Sequence, residues 1–83
     1  MDKILITVYV LAIEEEYDLF LPIGITMTDA LNRIQNTIVE MSEGNYVFNP
    51  SPVLYRDEDG KIINMKNIVK FSGLQNGCKV LLK

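Results

Sequence analysis

Between Lys3 and Leu11 the chain reads KILITVYVL, a run in which Ile4, Ile6, Val8 and Val10 alternate with Lys3, Leu5, Thr7, Tyr9 and Leu11. Strict alternation among β-branched and aromatic residues predicts a strand, with the uniformly aliphatic set turned toward a core. The second set is more apolar than a wet face requires. Ala12 to Glu15 lacks Gly and Pro, so the turn is not of the tightest hairpin type, and the acids mark it as exposed. Alternation resumes over Glu16–Pro22, with Tyr17, Leu19 and Leu21 directed inward and Asp18 and Phe20 outward. Pro22 ends the pairing, as suits an edge or terminal position.

The period then changes. From Thr26 to Gly44, Ala30, Leu31, Ile34, Ile38 and Met41 recur at spacings of three and four, which places them on one face of a helix. Asp29, Asn32, Arg33, Gln35, Asn36 and Glu40 fill the polar arc. Thr26 or Thr28 can cap the start, Asp29 suits the dipole there, and Gly44 supplies a left-handed stop. A helix with one dry side needs a second layer to cover it.

Beyond the helix, Tyr46, Val47 and Phe48 lie in a proline-bearing connection and are expected to plug the core below the helix. Val53 to Arg56 is a short strand, with Val53 and Tyr55 on one face and Leu54 and Arg56 on the other. Asp57-Glu58-Asp59-Gly60 is a turn and Lys61-Ile62-Ile63 a brief return strand, followed by a wandering segment to Leu74 with a single helical turn. Gln75-Asn76-Gly77 is a second turn signal, and Cys78 to Leu82 closes the sheet with Cys78, Val80 and Leu82 on one face. Strand, strand, helix, strand, short strand, strand is an α+β order. The first and last strands can then pair in parallel at the sheet centre through a right-handed crossover.

Composition narrows function more than fold. The 83 residues leave room for one domain, residues 1–83, and 48% hydrophobic against 23% charged residues is ordinary for a globular chain. A net charge of -3 argues against nucleic acid or anionic membrane as the main partner. The charge is uneven: all 11 acids lie at or before Asp59, and the five residues Lys61, Lys66, Lys70, Lys79 and Lys83 follow with no acid among them. With no histidine, the usual triads, the commonest general base and most zinc sites are out of reach. Cys78 is the only cysteine, so no internal disulfide forms, and it reads as a small buried hydrophobe. Glu14-Glu15-Glu16 with Asp18 does not converge on one ion, because successive strand residues point apart. Asp57-Glu58-Asp59-Gly60 lacks the later ligands of a calcium loop, and no glycine cluster cradles phosphate. Neither metal nor cofactor is expected. The start shows no cleavable leader, and the apolar run Ile4–Ile13 is about half a membrane span, so the expected location is the cytoplasm.

The segment VLYRDEDGKIINMKNIVKFSGLQNGCKVLLK, together with the strand YDLFLP and the helix after Thr26, resembles the ubiquitin-like β-grasp proteins. Within them it is most similar to the YukD/EsaB family, small ubiquitin-like proteins that accompany type VII secretion systems. The resemblance implies a ββαββ fold, a mixed four- to five-stranded sheet on one helix, and a non-enzymatic role in protein–protein interaction. Its implied partner is a secretion-machine component or a second copy. The ending Leu81-Leu82-Lys83 carries no Gly-Gly tail, which disfavours the alternative of a sulfur carrier or conjugated modifier acting through its C-terminus. In a β-grasp order the first strand is flanked by the second and the last. Leu5, Tyr9, Phe20, Leu54 and Leu81 then point away from the helix, and the strand order can gather Leu5, Tyr9, Phe20 and Leu81 into a patch on the order of a few hundred Å². Lys79 and Lys83 at its rim would steer acidic partners. These residues are the candidate partner-binding site.

Overall fold

The computed structural model describes residues 2–83. Strand β1 spans Lys3–Val10, β2 Glu15–Pro22, helix α1 Met27–Met41, β3 Leu54–Arg56 and β4 Lys79–Leu82, with a single 3-10 turn at Val69–Phe71. The sheet order is β2-β1-β4-β3. β1 pairs antiparallel with β2 and parallel with β4, in the register Thr7 to Lys79 through Val10 to Leu82. The expected parallel pairing of the first and last strands at the sheet centre is present, and α1 covers one face of a mixed four-stranded sheet.

The alternation in β1 carries through to packing. Ile6, Val8 and Val10 are fully buried, whereas Leu5, Thr7 and Tyr9 are half-buried on the opposite face. Leu19 and Leu21 join them from β2, Val80 and Leu82 from β4, and Ala30, Leu31, Ile34 and Ile38 from α1. Burying such aliphatic side chains contributes about 1.5–3 kcal/mol each before the entropy of ordering them is counted. Thr26 is the helix cap, its Oγ1 accepting the Asp29 N–H at 3.2 Å. Gly44, at φ +85°, ends the chain's helical path by donating its N–H to the Val39 carbonyl.

Six expectations need correction. Leu54 does not face outward: it lies opposite Leu82 and is fully buried, so its phase in β3 is inverted. Met41 leaves the core stripe, at 49% exposed, because the helix ends there and nothing lies beneath its last turn. Gln35 leaves the polar arc and is fully buried. The plug is Tyr46 alone, with Val47 and Phe48 exposed. Cys78 is half-buried, since it precedes β4 in the turn rather than lying within the strand. The return strand at Lys61–Ile63 reduces to one bridge, Tyr55 opposite Ile62.

Candidate interaction surface

The face of the sheet away from α1 is built in cross-strand rows, because residues opposite one another in a ladder share a face. Phe20 lies opposite Leu5 at one end. The next row is polar: Asp18, Thr7 and Lys79 stand side by side, and the Thr7 hydroxyl donates to Asp18 Oδ1 at 2.7 Å. The row after that runs Glu16, Tyr9, Leu81, Tyr55 and Ile62 across the whole sheet. Tyr9 and Leu5 are four residues apart on one strand, so about 13 Å separates them.

The expected single patch is thus two patches with a polar bar between them. Leu5 and Phe20 form the smaller, with Phe20 at 63% exposed and the Lys3 ammonium 4.9 Å from its ring centre. Tyr9, Leu81, Tyr55 and Ile62 form the longer stripe, in which Ile62 is 66% exposed. Tyr55 and Ile62 take the place assigned to Leu54. Recognising them requires the β3 phase, and Asp57-Glu58-Asp59-Gly60 offered that signal: the turn pairs Arg56 with Lys61 and so Tyr55 with Ile62.

Lys79 does not stand free at a rim. It lies in the polar bar, its Nζ 2.6 Å from Glu16 Oε1 and 5.6 Å from the Tyr9 ring centre. The hydrogen bond to Glu16 raises its pKa, so it stays charged but locally neutralised. Lys83 remains exposed at the end of β4.

The two grooves found measure about 80 and 190 Å³, well below the size of a typical small-molecule site. No cluster of three or more His, Cys, Asp or Glu side chains among the described residues is placed to hold a metal ion. No described helix is long and apolar enough to cross a membrane. What the surface offers chemically is flat apolar contact framed by charge.

No family model matches the chain, and no curated protein does. Solved structures do match. A protein described as a molecular mimic of SUMO that promotes DNA repair aligns over 100% of this chain and 92% of its own, at 17% identity and TM-score 0.74. The ubiquitin-like domain of the Mycobacterium tuberculosis type VII secretion system protein ECCD1 aligns over 99% and 98%, at 16% identity and TM-score 0.71. A chain of the MycP5-free ESX-5 inner membrane complex aligns over 100% of this chain but 21% of its own, at 12% identity and TM-score 0.70. With one helix packed on a mixed sheet of order β2-β1-β4-β3, the chain has the ubiquitin-like β-grasp fold.

Proposed function

We propose that this chain is a non-catalytic interaction module of the cytoplasm, an accessory of a type VII secretion system that docks through the outer face of its sheet. The observation carrying this reading is the row Tyr9, Leu81, Tyr55 and Ile62, an apolar stripe that crosses three strands and a bridge without a charged residue inside it. Aromatic and aliphatic side chains held rigidly on a sheet lose little entropy on docking, which makes them suitable anchors. Similarity to the ECCD1 ubiquitin-like domain and to a chain of the ESX-5 complex supports the choice of machine. The stripe, rather than Phe20 and Leu5, is the centre of the contact, with the Glu16–Lys79 pair at its margin.

The test is co-purification with type VII secretion membrane components expressed together with this chain. Tyr55→Ser with Ile62→Ser should preserve the folded amide spectrum and reduce recovery of the machine at least about tenfold, as the loss of two anchor residues implies. Tyr9→Ser with Phe20→Ser should weaken it less. Undiminished recovery with the stripe removed would rule the face out.

A further inference from the structure

The two edges of the sheet are finished differently. On the β3 side, the return at Lys61–Ile63 bonds back through Arg56 N–H to the Lys61 carbonyl and Ile63 N–H to the Leu54 carbonyl. On the β2 side no backbone group among the described residues bonds to the strand's outer edge. The Ile23 N–H donates to the Asp2 carbonyl, and in an antiparallel ladder such pairs alternate. Leu21, Leu19, Tyr17 and Glu15 therefore turn their peptide groups to β1, and Glu16, Asp18, Phe20 and Pro22 turn theirs to the open edge. No backbone bond outside the ladder reaches these four among the described residues. An eight-residue edge of this kind is a template for another strand.

Beside the edge lies the groove of about 80 Å³ between β2 and α1, lined by Leu19, Phe20, Leu21, Arg33, Ile34 and Thr37. Two cations flank it. Arg33 stands on the helix side, and Lys3 leans over Phe20 on the outer side. Among the described residues the ion pairs are Arg56–Asp59 and Lys79–Glu16, so neither cation has a carboxylate of its own. The occupant must be an extended strand with apolar residues on its inner face and acids on both faces at one end. β2 itself has this character: Tyr17 and Leu19 inside, Glu15 inside, Glu16 and Asp18 outside.

We infer that the open edge pairs with the β2 edge of a second copy, antiparallel, with Leu19 opposite Leu19, to make one continuous sheet across two chains. In this register the Glu16 N–H meets the Pro22 carbonyl of the other copy, and Asp18 and Phe20 exchange both of their bonds. Every edge N–H is satisfied, and Pro22, lacking one, loses nothing. Sliding one step toward Glu15 would set Asp18 against Asp18, which like-charge repulsion disfavours, and one step toward Pro22 would carry Glu16 past the end of the partner strand. In the favoured register Glu15 of the second copy reaches Arg33 and Asp18 reaches Lys3, while Glu16 stays with its own Lys79. Tyr17 of the second copy comes opposite Leu21, over the groove. The outer stripe Tyr9, Leu81, Tyr55 and Ile62 stays uncovered, so this pairing is separate from the docking proposed above.

One strand and a groove rim make a small, transient interface, so the measurement is sedimentation equilibrium from about 10 μM to about 1 mM. The wild-type chain should dimerise reversibly in that range. Arg33→Glu and Glu15→Lys should each raise the dissociation constant at least about tenfold, and the two together should restore it to within about threefold of wild type. Both positions are exposed, so amide spectra should show folded monomers. Tyr55→Ser with Ile62→Ser should leave the constant unchanged. A wild-type chain that stays monomeric at 1 mM, a dimer indifferent to the charge reversals, or one abolished by the stripe variant would each overturn the inference.

Discussion

Gln35 shows how little residue type alone says about position. It has the polarity of the solvated arc, yet it is fully buried with both side-chain polar atoms hydrogen-bonded. Its Nε2 donates to the Asn49 carbonyl at 3.0 Å, and its Oε1 accepts the Asn49 N–H at 2.8 Å and the Tyr46 hydroxyl. The side chain ties the helix to a connection that has no regular structure of its own. Gln35→Leu would strand the Asn49 N–H and the Tyr46 hydroxyl in the core at a cost of about 2–4 kcal/mol. The expected fall in melting temperature is about 10–20 °C, read by calorimetry. Burial raises the Tyr46 pKa above its ordinary 10.0. Its folded form therefore holds the proton longer than the unfolded form, and stability should fall as pH rises above that value. The opposite sign holds at Asp59, whose carboxyl the Arg56 guanidinium and the Lys61 N–H pull from 3.8 to about 2. A carboxyl-carbon NMR titration should find its midpoint near that value, and Arg56→Ala should return it toward 3.8. The partners of Asp59 lie within three residues of it, whereas those of Gln35 lie eleven and fourteen residues away. A buried glutamine facing a loop leaves no trace in a helical period.

At the scale of elements, legibility follows length. β1 and α1 have enough residues for a period to repeat, and both lie within a few residues of where alternation and three-four spacing put them. β3 has three residues, LYR, too few to fix a phase, and Leu54 was inverted for that reason. The inversion mattered for the candidate surface, because it hid Tyr55 and Ile62 behind Leu54. The helix end departs for another reason: Met41 continues the apolar period, but the layer beneath it has stopped. A period records what a helix can bury, and tertiary structure decides how far the cover extends. The last turn of α1 carries no basic residue, so the negative end of its dipole has no favourable charge beside it. Met41→Lys should stabilise the fold by about 0.3–1 kcal/mol through the helix dipole, measured by urea denaturation, since the side chain it replaces is half exposed. Gly73 works in the other direction. At φ +91° its absent Cβ would sit 2.8 Å from Arg56 Nη1, so Gly73→Ala should cost about 1–3 kcal/mol in the same assay.

Across the whole molecule, the sheet order assigns the two faces and two edges separate tasks. One face takes the helix; the other presents the stripe. One edge is closed by the Lys61–Ile63 return, and the other carries unpaired peptide groups. Strand order and parallel pairing were readable from the order of elements, since crossover handedness leaves few choices. The polar bar of Asp18, Thr7 and Lys79 was not, because it exists only once three strands are in register. That register has a further consequence, in time. β1 is the first strand and β4 the last, and Val8 sits beside Val80. Closing so long a loop is slow, and the parallel ladder at the sheet centre cannot begin until nearly every residue to Leu82 is available. During synthesis the β1–β2 hairpin and α1 must wait with an unfinished core, exposed to chaperones and to other hairpins like themselves. Refolding from urea should accordingly proceed in milliseconds to seconds rather than microseconds, and Val80→Ala should slow it less than it speeds unfolding if β4 docks last.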